Sequence, residues 1–179
     1  MKSAVLVIDV QRAVCESAFA VQAVIVRINA VLRSARAAGA PVVFIQHASS
    51  DGPLERGSPG WELAPELDVQ PADTVVGKTA ADAFHGTVLQ ATLEVLAVRS
   101  LVICGLQSEF CVDTTTRRAL GLGYPVTLLA DGHTTADNGV LTAAQIIAHH
   151  NRTLADIRSF GPRVTLAPAH EIVFDGAAA

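Results

Sequence analysis

Short, continuously apolar runs alternate with longer amphipathic stretches along the whole chain, and the two patterns predict different elements. Ala4 to Asp9, AVLVID, is β-prone throughout, as a strand covered on both faces is. In the next stretch, AVIVRINAVLRSARAAG, Val24, Ile28, Val31, Leu32 and Ala35 fall at helical spacing. Gly39 is a natural stop there, with Pro41 just beyond. PVVFIQ (Pro41 to Gln46) predicts a second buried strand and DTVVGK (Asp73 to Lys78) a short third one. Thr87 can cap a helix that uses Leu89, Leu93 and Leu96. RSLVICG and YPVTLLADG predict two more strands, LTAAQIIAHHNRTLADI another helix, and RVTLA and EIVF short terminal strands.

Between the second and third strands, Ala48 to Asp73 carries glycine, proline, serine and charge without any period. A loop this long in a compact domain tends to serve function. Parallel strands need crossovers of about a dozen residues, and the predicted helices supply them in right-handed sense. The expectation is a three-layer α/β/α sandwich with a mostly parallel central sheet, one domain over residues 1–179. The terminal Gly176 to Ala179 is expected to fray.

Composition narrows the function. The 179 residues are 50% hydrophobic and only 17% charged, which excludes a disordered role. A formal net charge of −4 without any block of like charges argues against nucleic acid or an anionic membrane surface as partner. No run approaches the roughly 18 apolar residues of a membrane span. The N-terminal apolar run is broken by Asp9 too early for a signal peptide. Three cysteines, Cys15, Cys104 and Cys111, lack disulfide-framework spacing, so a reduced, cytoplasmic setting is expected. With a mean hydropathy of +0.39 and helices rich in Ala and Val, self-association is plausible.

In open parallel sheets ligands bind outside the carboxyl ends of the strands. That rule selects Asp9, Gln46, His47, Lys78, Cys111 and Asp131. Ser108 in CGLQSEFCVDTT is a candidate N-cap, which puts Cys111 in the first turn of a helix. There the free N–H groups and the helix dipole favour an anion, and Lys78 nearby would add to the effect, so the thiol is expected to ionise readily. Cys104, inside the apolar run LVIC, has none of these features. A carboxylate such as Asp9 directly after VLVI is costly unless paired, and Lys78 can pair it. Nucleophile, proton acceptor and cation thus come from three separate strand ends.

Three stretches in this order, VLVIDVQ, VGKTAADAFHGT and CGLQSEFCVDTT, resemble the isochorismatase-like cysteine hydrolases, a family that includes nicotinamidases and N-carbamoylsarcosine amidohydrolases. The likeness covers nearly the whole chain. It implies a catalytic triad of Asp9, Lys78 and Cys111, a cis peptide at Leu106–Gln107, and an oxyanion hole made by the backbone N–H groups of Gln107 and Cys111. The reaction it implies is hydrolysis of an amide, ureide or lactam C–N bond of a small molecule through a thioester, without a cofactor. Homodimers or homotetramers are common in the family. The metal motif of the nicotinamidases, Asp-x-His after the second strand, is absent from FIQHASSDG, so no bound metal is expected and nicotinamide is disfavoured as substrate. Arg12, Ala13 and Val14 replace the family's frequent Asn-Asp-Phe, which alters the pocket wall. Gln46, Trp61 and Phe110 are the expected substrate contacts, while Cys15, His47 and Glu109 have no assigned role. An isochorismatase-type ether hydrolase and a non-catalytic binding module are the alternatives; the cysteine disfavours the first and the complete triad the second.

Overall fold

Six strands form one sheet in a computed structural model that describes residues 2–174. They are β1 (Ser3–Ile8), β2 (Val42–His47), β3 (Thr74–Lys78), β4 (Ser100–Leu106), β5 (Val126–Thr134) and β6 (Val164–Ala167). All neighbouring pairs are parallel, in the order β3-β2-β1-β4-β5-β6. The α-helices are α1 (Arg12–Cys15), α2 (Val21–Ala37), α3 (Leu89–Val95), α4 (Asp113–Gly121) and α5 (Ala143–Ala155).

Both faces of the sheet are covered, which is why its strands are apolar without alternation. Ala4, Leu6, Ile8, Val43 and Ile45 pack on one side with Leu89 and Leu93 of α3, Ala119 and Leu120 of α4 and Leu154 of α5. Val5, Val7 and Phe44 pack on the other side against Val24, Ile28 and Leu32 of α2. The three layers are those expected. The last predicted strand is not: Glu171 closes a 3-10 turn (Ala169–Glu171), and Glu171 to Phe174 pairs with no strand. Its Ile172 and Phe174 pack on the α2 side, so its apolar pattern marks core contact instead of a strand. Gly176 to Ala179 lies outside the described residues.

The chain runs outward from β1 through β2 to β3, then returns to lay β4 on the other side of β1. The order reverses between β1 and β4, and a crevice opens at such a point beyond the strand ends. Two features shape that end of the sheet. A Cβ at Gly105, whose φ is 116°, would run into the Ile8 carbonyl, so only glycine lets β4 lie so close to β1. Asp9 leaves β1 with φ 49°, a left-handed conformation uncommon for a residue with a side chain.

The long loop is held at both ends of its course. Gln11, fully buried, donates from Nε2 to the carbonyls of His47 (2.9 Å) and Trp61 (2.7 Å) and accepts from the His47 amide (2.9 Å). Further on, Arg36 of α2 binds Asp68 at 2.9 Å and Asp73 at 2.6 Å.

Candidate active site

Asp9, Lys78 and Cys111 arrive from β1, β3 and the turn after β4, and they meet. Strands β1 and β3 are separated by β2, so their axes stand about 10 Å apart. The long lysine stem spans that gap. Lys78 Nζ lies 2.7 Å from Asp9 Oδ2 and 3.2 Å from Cys111 Sγ, and it also contacts His47 Nδ1 at 3.1 Å and the Ala80 carbonyl at 3.0 Å. Asp9 is 2% exposed and Lys78 3%. The second carboxylate oxygen, Asp9 Oδ1, is buried with no hydrogen-bond partner.

A cavity of about 350 Å³ opens over this group. Asp9, His47, Gln107 and Cys111 form its polar side, and Val14, Leu54, Ala81 and Phe110 its apolar side. Leu54 comes from the long loop and Val14 from α1, so the segments after β1 and β2 roof the site.

Of the expected substrate contacts, Phe110 lines the cavity and is 55% exposed. Gln46 and Trp61 do not line it. Gln46 Nε2 donates to the Trp61 carbonyl at 2.9 Å, so the two residues anchor the loop. Successive side chains on a strand point to opposite faces. Phe44 lies on the α2 side and Ile45 on the other, so Gln46 follows Phe44 away from the site and His47 follows Ile45 toward it. His47 also pairs in register with Lys78. Because lysine only donates, His47 Nδ1 accepts from it and the imidazole is neutral. Burial and the neighbouring ammonium lower the His47 pKa in agreement. Asp131, another strand-end candidate, sits inside the long β5, where it accepts from the Ala169 amide at 2.8 Å, remote from the cavity wall.

The turn that carries Cys111 also differs from expectation. Ser108–Val112 is a π-helical turn that runs into α4, with Gln107 as N-cap and no side-chain cap. The Leu106–Gln107 peptide before it is cis. Ser108, instead of capping, is fully buried and lies 2.7 Å from His133 Nδ1. His133 Nε2 lies 3.0 Å from Asn151 Oδ1, and Asn151 Nδ2 donates to the Ala130 carbonyl at 2.9 Å. That last bond fixes the rest. Asn151 Oδ1 must accept from His133 Nε2–H, so His133 Nδ1 accepts from the Ser108 hydroxyl. Glu109 accepts from the Thr135 hydroxyl at 2.9 Å and does not line the cavity.

The electrostatics correct one expectation. Burial pushes the Cys111 thiol up to about 12, and the Asp9 charge raises it while the Lys78 ammonium lowers it. Desolvation therefore outweighs the cation, and the balance favours the thiol over the thiolate. Asp9 is also raised above its ordinary 3.8 by burial, against the pull of Lys78. Raising Asp9 makes it a stronger base, which favours its taking the proton from sulfur, while raising the thiol opposes that transfer. Cys104 is fully buried, and there desolvation alone raises the thiol. Among the described residues no group of three His, Cys, Asp or Glu side chains could hold a metal ion, and no helix is long and apolar enough to cross a membrane.

Comparison with known proteins adds independent information. A streptothricin hydrolase from Streptomyces noursei is 42% identical over 138 residues, which covers 75% of this chain and 50% of that protein. The ureidoacrylate amidohydrolase RutB of Stutzerimonas stutzeri is 29% identical over 170 residues, covering 73% of this chain and 68% of that one. The chain spans about half the length of the streptothricin hydrolases it matches. Among solved structures, an isochorismatase family protein superposes with a TM-score of 0.85 at 40% identity, covering 93% of this chain and 98% of its own. The isochorismatase domain itself matches residues 3–164, so the likeness runs from β1 through β5 to the first residue of β6, and the chain belongs to the isochorismatase family.

Proposed function

We propose that the protein is a cysteine-dependent hydrolase that cleaves a C–N bond of a small amide, ureide or lactam through a thioester on Cys111. The observation that carries this reading is the position of Lys78 Nζ, 2.7 Å from Asp9 Oδ2 and 3.2 Å from Cys111 Sγ, at the floor of a cavity. The kinship with a ureidoacrylate amidohydrolase supports the bond type. An ether hydrolase would have no use for a thiol beside an ammonium that is itself paired with a carboxylate.

In this cycle Asp9 takes the proton of the Cys111 thiol as sulfur attacks the carbonyl carbon. The tetrahedral oxyanion is held by the backbone N–H groups of Gln107 and Cys111, both of which border the cavity. Asp9 then gives its proton to the departing nitrogen, the C–N bond breaks, and a thioester remains. A water molecule, deprotonated by Asp9, attacks the thioester carbonyl, and the acid leaves as the thiol is restored. Lys78 keeps Asp9 ionised between these transfers and offsets the charge on sulfur. Because the thiol rests protonated, activation is coupled to attack instead of preceding it. No step calls for a metal or a cofactor.

The test is ammonia or amine release from a panel of small amides, with intact-protein mass spectrometry of rapidly quenched reactions. Turnover with an acyl adduct on the Cys111 peptide is expected, and Cys111→Ala abolishing both. Undiminished turnover in Cys111→Ala would overturn the reading.

A further inference from the structure

The charges of the candidate site cancel within the protein. Asp9 and Lys78 neutralise each other at 2.7 Å, His47 is neutral, and the Cys111 thiol is uncharged at rest. Among the described residues the cavity wall holds no arginine or lysine that could receive a carboxylate, phosphate or sulfate. Lys78 itself cannot serve, since its four contacts already outnumber its three protons. The one acidic side chain on the wall, Asp9, has its charge balanced by Lys78, so its free Oδ1 can accept a hydrogen bond but carries no net charge to hold an ammonium. Sites that select anions use arginine forks, and this one has none.

The remaining wall is the uncharged Gln107 and the apolar surfaces of Val14, Leu54, Ala81 and the Phe110 ring. An ion moved from water onto these surfaces loses its hydration and gains no partner, whereas an apolar body gains from the same transfer. At about 350 Å³ the space lies near the bottom of the usual small-molecule range of roughly 300–1,000 Å³. It admits one small ring or a short branched chain beside the scissile bond.

We infer that the substrate is a small uncharged carboxamide, lactam or ureide with an apolar or aromatic body, and that the cavity rejects analogues bearing a carboxylate or an ammonium group. This rests on the hydrolase reading above and narrows it.

Two measurements separate the inference from that reading. The first compares kcat/KM for benzamide, its para-carboxylate and its para-aminomethyl derivative. The neutral amide should exceed each charged one by about ten-fold or more, since one uncompensated charge costs at least 1.4 kcal/mol. A charged derivative turned over as fast as the neutral one overturns the inference and leaves the hydrolase reading standing.

The second measurement needs no turnover. Iodoacetamide and iodoacetate alkylate Cys111 by the same displacement: the thiol proton goes to buffer, the S–C bond forms and iodide leaves. Peptide-resolved mass spectrometry gives the amide-to-acetate rate ratio at Cys111, normalised to a small free thiol. A normalised ratio of about ten or more is expected, falling about ten-fold in Leu54→Arg, which puts a guanidinium on the wall. A ratio near one in the wild type overturns the inference. If no benzamide is cleaved, this ratio alone decides it: a high value upholds the charge selection while the hydrolase reading takes the failure.

Discussion

Lys78 and Asp9 form a solvent-excluded ion pair, Nζ to Oδ2 2.7 Å, with side chains 0% and 3% exposed. Each charge is tolerable only because the other is present. The pair is not an ordinary stabilising salt bridge, since two ions drawn out of water gain little net free energy by meeting.

Removing both partners should therefore cost less than the two single removals added together. Asp9→Asn and Lys78→Met are each expected to destabilise by about 3–5 kcal/mol, and the double variant by clearly less than the sum. Urea unfolding of the four proteins measures the coupling. Additive losses would mean that the charges do not depend on each other. Asp9→Asn should also lower kcat by about 10²–10⁴-fold, the usual worth of a positioned general base.

The thiol makes a prediction about pH. With Cys111 held up at about 12, its alkylation by iodoacetamide in the free enzyme should keep accelerating beyond pH 9. A plateau near neutrality would mean a resting thiolate. The same shift bears on stability. Cys15 is raised to about 11 and Cys111 to about 12, both from 9.0, so the folded state holds these protons more tightly than the unfolded chain does. That contribution is complete below about pH 9 and is lost as pH climbs toward 11 and 12. Urea midpoints should fall between pH 8 and pH 10.5, and less steeply in Cys111→Ala.

Ser108 and His133 give a third. Ser108→Ala leaves the buried His133 Nδ1 without its donor at a cost of about 1–3 kcal/mol, read by urea unfolding. His133 is 1% exposed, and burial lowers its pKa below 6.5. It stays neutral in the fold while the unfolded chain takes up a proton. Its contribution is present above about pH 6.5 and declines as pH falls from there. His133→Gln should flatten this part of the pH–stability curve.

Gly105 provides the fourth. Gly105→Ala drives a methyl into the Ile8 carbonyl at a backbone conformation that side chains avoid, and should cost at least about 3 kcal/mol. Gly139 also has positive φ, 82°, but nothing lies within 4 Å of where its Cβ would be. Gly139→Ala should cost only the conformational penalty of about 1–2 kcal/mol. Thermal unfolding of both variants separates collision from backbone preference.

Much of the architecture could be read from the chain because covered strands and crossover helices carry opposite periodicities. The apolar run of β1 ends at Asp9 and that of β3 at Lys78, and a strand end in a parallel sheet is a position by the crevice. The terminal Glu171 to Phe174 misled because apolar residues that plug a core and those that form a strand look alike over four positions. Gln46 and His47 show the same limit. Both faces of β2 are buried, so its composition does not reveal which of two neighbours faces the site.

Local order along the chain was thus enough to determine the alternation of elements, the parallel sheet and the three residues at its carboxyl edge, because each depends on nearby neighbours. Only the tertiary structure decided that Lys78 is shared between Asp9, Cys111 and His47, that Ser108 answers to His133 twenty-five positions away, and that burial holds the Cys111 thiol above its ordinary pKa. Those outcomes depend on who shares a pocket and how much water is left in it, and desolvation is a property of the packed molecule that no single segment carries.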